Sequence, residues 1–78
     1  MTCKIVINGQ VQGVGFRPFV YSTAFQFHIK GTVSNNEEGV IIYATASKEN
    51  LDLFYHHLLT HPPSVSRING HSRQEIPK

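Results

Sequence analysis

The 78-residue chain is short of the residue types from which several kinds of site are built. Cys3 is its single cysteine, so the chain alone can form neither a disulfide nor a thiolate metal cage, and a reducing, cytoplasmic compartment is expected. No apolar run approaches the roughly 20 residues of a membrane-spanning helix. These absences predict a soluble protein with no membrane partner.

Charge is also scarce and evenly spread. Charged residues make up 15% of the chain and its net charge is +2, which is not the composition of a disordered segment. The cations are scattered rather than clustered, so charge does not imply a nucleic-acid partner. We expect residues 1–78 to form a single domain, since no repeat, low-complexity tract or linker interrupts them.

A glycine-rich loop at residues 9–17 is the most informative segment that is present. Gly13 and Gly15 can adopt positive φ and bring backbone N–H groups close to a ligand, and a helix beginning at Pro18 would point its positive end there. Arg17 adds a planar cation that suits phosphate oxygens. The predicted phosphate-binding residues are Gln12, Gly13, Val14, Gly15, Phe16 and Arg17.

The periodicity of the rest predicts the element order βαββαβ. An alternating first strand precedes the loop, and a helix to about residue 28 follows it. Residues 29–34 and 40–45 form a predicted hairpin around turn residues 35–39. Ser47 is a predicted cap for a second helix that stops at Pro62, and residues 67–76 remain for a last strand.

This order predicts an α+β, ferredoxin-like sandwich, with two helices on one face of an antiparallel sheet. A right-handed crossover makes the first two strands parallel, so that their far ends meet at one rim of the sheet. The loop that ends at Arg17 follows the first strand, and Asn35 follows the second. Topology therefore predicts an arginine, a row of N–H groups and a carboxamide side by side.

The same residues resemble the acylphosphatase family. The segment Val-Gln-Gly-Val-Gly-Phe-Arg at 11–17, followed by Gly31, Val33, Asn35 and Gly39, is similar to the family pattern V-Q-G-V-x-F-R and G-x-V-x-N-x-x-x-G. Pro18 directly after the arginine resembles the N-terminal domain of the hydrogenase-maturation carbamoyltransferases. Such domains usually extend about one strand further than Lys78, so an open sheet edge is expected.

The resemblance implies a function and two catalytic residues. Arg17 would bind phosphate together with the N–H groups of the loop, and Asn35 would position a water. The substrate implied is a small acyl phosphate, with carbamoyl phosphate favoured, and no metal or cofactor is implied. Further domains of a longer maturation protein are implied as partners.

Plainer interpretations of these residues stay open at this stage. Arg17 could be a solvated residue at a helix start, and Asn35 a turn former. His57 and His61 have the spacing of a helical metal pair but lack a third ligand, so solvated histidines are predicted. Phe25, Phe27, Tyr43 and Tyr55 are predicted to pack in the core rather than to stack on bases.

Two other functions remain as alternatives. The domain could be a non-catalytic module that binds an anion or docks a partner within a larger protein. More distantly, it could be an RNA-binding sandwich, although its third strand lacks the expected basic-aromatic signature. Turnover would separate an enzyme from a docking module, and a steep salt dependence would indicate RNA.

Overall fold

A computed structural model describes residues 1–11, 15–37 and 39–77. The strands are β1 (Thr2–Gln10), β2 (Lys30–Asn36), β3 (Gly39–Thr45) and β4 (Arg67–Ile76). The helices are α1 (Phe16–Gln26) and α2 (Lys48–Thr60). The predicted order βαββαβ is confirmed.

The four strands form one sheet in the order β2-β3-β1-β4. β1 is antiparallel to both β3 and β4, and β2 is antiparallel to β3. β1 and β2 are therefore parallel to each other, as the crossover argument predicts. β2 and β4 form the two edges of the sheet.

The core lies between the helices and one face of the sheet. Alternate residues of β1 and β3 are buried there, and Phe16 and Val20 of α1 and Leu51, Phe54 and Leu58 of α2 pack on them. Burial of an aliphatic or aromatic side chain stabilises a fold by about 1.5–3 kcal/mol. Both helices therefore cover the same face, which completes the ferredoxin-like sandwich.

The first helix begins earlier than predicted. Phe16, not Pro18, is its first residue, so Arg17 lies inside the first turn. A proline at the third helical position is tolerated because the first four N–H groups of a helix have no partner within it. Gly15 is the N-cap, with φ 80° and ψ 15°, and its carbonyl accepts a hydrogen bond from the N–H of Phe19 at 3.2 Å.

The second helix is held at its start and along its side. The Ser47 hydroxyl accepts a hydrogen bond from the N–H of Asn50 at 3.2 Å, which confirms the predicted cap. Asp52 pairs with Arg73 of β4 at 2.7 Å, and this guanidinium, with help from Lys48, lowers the pKa of the Asp52 carboxyl. Tyr55 and His71 share a 2.6 Å hydrogen bond nearby. These contacts tie α2 to β4.

The predicted core packing of four aromatic side chains was wrong at two positions and is confirmed at the other two. Phe25 is 87% exposed and Tyr43 41% exposed, whereas Phe27 and Tyr55 do pack against the core. His57 is not simply solvated. Its ring stacks on the ring of His61, with 4.4 Å between the ring centroids, and lies edge-on to the Phe27 ring, with 5.5 Å between the centroids. Partial removal from water lowers the pKa of His57, and the nearby His61 and His56 lower it further.

Gly39 lies where β3 passes close to the end of β1. Its φ is 125°, and a Cβ built on it would lie 2.3 Å from the carbonyl oxygen of Ile7. We expect Gly39→Ala to lower the free energy of unfolding by roughly 3 kcal/mol or more, because the strain of a positive φ and the overlap of the new Cβ with the Ile7 backbone add to each other. Urea unfolding followed by circular dichroism measures the loss.

Gly15→Ala is the matched control for that substitution. Gly15 also has a positive φ, at 80°, but nothing lies within 4 Å of a Cβ built on it. Only the conformational cost of about 1–2 kcal/mol remains. Equal losses for the two variants would contradict the close approach of Gly39 to β1.

Candidate functional site: a pocket between α1 and β2

An open pocket of about 500 Å³ lies where the first turn of α1 faces the end of β2. Its lining residues are the residue that follows β1, the N-cap and first two turns of α1, and one residue of β2: Val11, Gly15, Phe16, Arg17, Pro18, Tyr21 and Asn35. Val11 and Phe16 are buried and form part of the core, so they fix the position of the pocket wall. The polar groups Arg17 and Asn35 are exposed and face solvent.

The helix end at this pocket is suited to an anion. The first turn of α1 contains no acidic residue, and its N-cap is Gly15, which has no side chain to accept a hydrogen bond from that turn. The N–H groups of a first helical turn have no partner within the helix and carry the positive end of its dipole. An anion in the pocket would supply the acceptors that a capping side chain supplies elsewhere.

Arg17 brings a full positive charge to that helix end. Within the described part of the chain, the salt bridges join Asp52 to Lys48 and to Arg73, and neither involves Arg17. An exposed guanidinium offers a fork of donors that fits two oxygens of a phosphate. The arrangement can therefore neutralise a phosphoryl group with a side chain and backbone N–H groups together.

Asn35 is a strand residue, not the turn residue that the sequence pattern indicated. It lies in β2 opposite Val40 of β3, and β2 continues to Asn36. Asparagine is depleted in strands, so the local backbone does not explain its presence there. Its carboxamide belongs to the pocket wall together with Arg17.

The structure brings together the two predicted catalytic residues, 18 positions apart in sequence, in the wall of one pocket. Gly15, Phe16 and Arg17 of the predicted phosphate-binding loop also line it. Gln12, Gly13 and Val14 lie outside the described residues. Their assigned role stays a prediction.

Tyr21 is a pocket residue that the sequence reasoning missed. It lies four positions after Arg17 and is 52% exposed. Residues four apart in a helix share a face, so this spacing is the signal that could have identified it. The helix was predicted from its buried apolar stripe alone, and Tyr21 does not lie on that stripe.

The described residues carry neither a cluster of metal ligands nor a membrane-spanning helix. Over residues 1–11, 15–37 and 39–77, no group of three or more His, Cys, Asp or Glu side chains is arranged to hold a metal ion. No helix in these segments is long and apolar enough to cross a membrane.

Comparison with known proteins shows the family to which the chain belongs. Residues 3–78 match the family model of acylphosphatase. The chain belongs to the acylphosphatase family. An acylphosphatase from Staphylococcus aureus (strain Newman) is 34% identical over 70 residues, which cover 90% of this chain and 79% of that protein.

Larger relatives carry a similar segment. A probable carbamoyltransferase HypF from Methanocaldococcus jannaschii is 41% identical over 76 residues, or 97% of this chain, yet the chain spans about 10% of that protein's length. A full-length HypF crystal structure in the phosphate- and nucleotide-bound form superposes with a TM-score of 0.93 at 37% identity, covering 96% of this chain and 10% of that one.

The fold of a small family member matches as well. The acylphosphatase of Bacillus subtilis superposes with a TM-score of 0.89 at 31% identity, over 99% of this chain and 86% of that one. The fold of this acylphosphatase domain is thus shared both with small relatives and with a segment of much longer ones.

Proposed function

We propose that this domain binds and hydrolyses a small acyl phosphate, with carbamoyl phosphate the favoured substrate. The observation that carries the proposal is the meeting of Arg17 and Asn35 in one pocket at the N-terminus of α1, whose N-cap is a glycine. Similarity to acylphosphatases supports the reaction class. Similarity to carbamoyltransferases supports the carbamoyl group.

The reaction requires little more than positioning and charge neutralisation. In the proposed mechanism Arg17, the first-turn N–H groups of α1 and the preceding loop hold the phosphoryl oxygens. The Asn35 carboxamide orients a water in line with the phosphorus. The water oxygen forms a bond to phosphorus, the bond from phosphorus to the acyl oxygen breaks, and a carboxylate (carbamate for carbamoyl phosphate) leaves.

No general base is required for this step. The electron pair of the breaking bond stays on the acyl oxygen, which is a good leaving group because the product is a carboxylate. A proton of the attacking water ends on a phosphate oxygen, so the products are a carboxylate and inorganic phosphate. Fixed donors stabilise the charge that is spread over the phosphoryl oxygens.

We further propose that the domain serves a hydrogenase-maturation carbamoyltransferase, in which further domains would be its partners. The chain spans about a tenth of such proteins, so the activity of the whole protein would need those other regions. In that setting the domain would supply the acyl-phosphate chemistry. A non-catalytic role in anion binding is the second candidate, because the same short coverage is compatible with a docking module.

Release of inorganic phosphate from carbamoyl phosphate by the isolated chain tests the proposal. We expect saturable turnover that inorganic phosphate inhibits competitively. Spontaneous decomposition of carbamoyl phosphate is measured in a parallel sample without protein and subtracted. Competitive phosphate binding without turnover above that background would identify the docking module instead.

A further inference from the structure

A row of aromatic rings runs from the end of α2 to the proposed phosphate pocket. The ring of His61 stacks on the ring of His57, with 4.4 Å between the centroids and 9° between the planes. His57 in turn faces Phe19 of α1 with 6.1 Å between the centroids. Phe19 packs edge to face with Phe16, at 5.6 Å between the centroids, and Phe16 lines the pocket. The row therefore connects two histidines to the pocket wall.

His57 is the member of this row that links the two helices. Its ring contacts Phe19 in the first turn of α1 and also lies edge-on to Phe27, the C-cap of the same helix. Closely packed side chains transmit a displacement to their neighbours, because the space between them is filled. A change at His57 therefore alters how α2 holds α1 at both ends, including the end that carries Arg17.

The described surroundings of His57 contain no negative charge that would balance a proton on its ring. The two α1 residues that it contacts are phenylalanines. On α2 itself, the titratable groups that act on it are His61 and His56. Both salt bridges in the described part of the chain belong to Asp52, on the side of α2 that faces β4. The groups around His57 are thus either uncharged or become positive together with it.

Protonation works against the stack of His57 and His61. Two unit charges at 4.4 Å repel each other by more than the thermal energy even at the dielectric constant of water. Partial removal from water, followed by the influence of His61 and His56, lowers the pKa of His57 from its ordinary value of 6.5. The fold therefore favours the neutral ring. This contribution is complete above pH 6.5 and is lost as the pH falls through the lowered pKa.

We propose that neutral His57 is a positioning residue of the anion pocket, which holds Phe16 and the first turn of α1 in place through Phe19 and releases them on protonation. The inference rests on the proposed function for the identity of the pocket and adds an acid limit to it. Histidine is the side chain that ordinarily changes charge between about pH 5 and 8. The pocket lining contains no histidine among the described residues, so this limit would come from outside it.

Titration of the full chain with sulfate, followed by NMR, tests the inference. Sulfate is the probe because, unlike phosphate, it keeps the same charge over the range in which histidine titrates. We expect its affinity to fall severalfold between about pH 8 and about pH 5. The positive charge gained by the other histidines would by itself strengthen sulfate binding, so a fall cannot come from net charge. The pKa of His57, followed in the same spectra, should lie below 6.5.

His57→Phe is the decisive variant, because it keeps a flat ring between the helices but cannot take up a proton. It should rescue sulfate binding at acidic pH, whereas His57→Ala, which removes the ring, should bind sulfate weakly at both ends of the range. His28→Asn is the control. It removes an exposed histidine that lines no part of the row, and asparagine tolerates the positive φ of 58° at this position. Its pH profile should match that of the unchanged chain.

Three results would overturn the positioning role: a sulfate affinity that does not fall at acidic pH, an equal fall in the unchanged chain and in His57→Phe, or a pKa of His57 above 6.5. Hydrolysis of carbamoyl phosphate, measured separately, distinguishes this role from the proposed function. The expected sulfate profile without turnover at any pH would overturn the hydrolytic function alone. Turnover with a pH profile that His57→Phe leaves unchanged would overturn the positioning role alone, and failure of the unchanged chain to bind sulfate would overturn both.

Discussion

Arg17→Ala should abolish phosphate binding and lower the turnover of carbamoyl phosphate by about 10³-fold or more, which is what loss of an arginine on a transferring phosphoryl group costs. Arg17 lies in the first turn of α1, a turn that contains no acidic residue and follows the N-cap Gly15. No other positively charged side chain lines this pocket among the described residues. Competitive inhibition by phosphate and steady-state kinetics measure the two effects.

Arg17→Lys should rescue poorly, because an ammonium is a point charge and cannot reproduce the two-pronged contact of a guanidinium. Arg67→Ala is the matched control: Arg67 is an exposed arginine at the start of β4 and lies outside the pocket. Both Arg17 variants should fold, since the side chain is exposed. Hydrolysis by Arg17→Ala at the rate of the unchanged protein would show that the assigned role is wrong.

Asn35→Ala should lower kcat by about 10²-fold, the usual order for the loss of one positioning group. The affinity for inorganic phosphate should change little, because the carboxamide holds the attacking water rather than the phosphoryl oxygens. A change in kcat without a change in ground-state binding indicates an interaction made mainly in the transition state. Steady-state kinetics give kcat, and the inhibition constant of phosphate, measured on the same preparation, gives the affinity.

Asn69→Ala provides the control for Asn35, since Asn69 is also an exposed asparagine in a strand, β4. It should alter neither kcat nor phosphate inhibition. Urea unfolding of both variants accounts for any effect on the strands themselves. An unchanged kcat with reduced stability would assign Asn35 a purely structural role in β2 and remove the water-positioning step from the mechanism.

The regular spacing of apolar residues made most of the fold predictable. Cys3, Ile5 and Ile7 alternate in β1 and are all buried, because only one face of this strand meets the helices. The handedness of the crossover then placed the loop and Asn35 at the same rim without any distance information. Arg17 and Asn35 share a pocket for that reason.

The sequence was less informative where residues depart from these periodicities. Phe25 has the apolar side chain typical of a core residue but is 87% exposed on α1, so composition alone misplaced it. Asn35 and Asn36 carry strong turn signals, yet pairing with β3 extends the strand over both. In strands, pairing with a neighbouring strand outweighs the local propensity of a residue. The sequence of β2 alone does not indicate that this pairing extends the strand.

The start of α1 shows the same limit at a helix end. Proline favours the first helical position, which placed the predicted start at Pro18, whereas Phe16 begins the helix because its buried ring joins the core. Because the helix begins at Phe16, Arg17 lies in its first turn and not in the preceding loop.

Titration of the ¹⁵N-labelled chain with inorganic phosphate, followed by NMR, tests most directly the claim that an anion binds at the start of α1. We expect saturable shifts at millimolar phosphate in the backbone amides of Gly15, Phe16 and Arg17 and in the side-chain amide of Asn35, and we expect Arg17→Ala to abolish all of them. Shifts confined to α2 and β4, or none at millimolar phosphate, would contradict it.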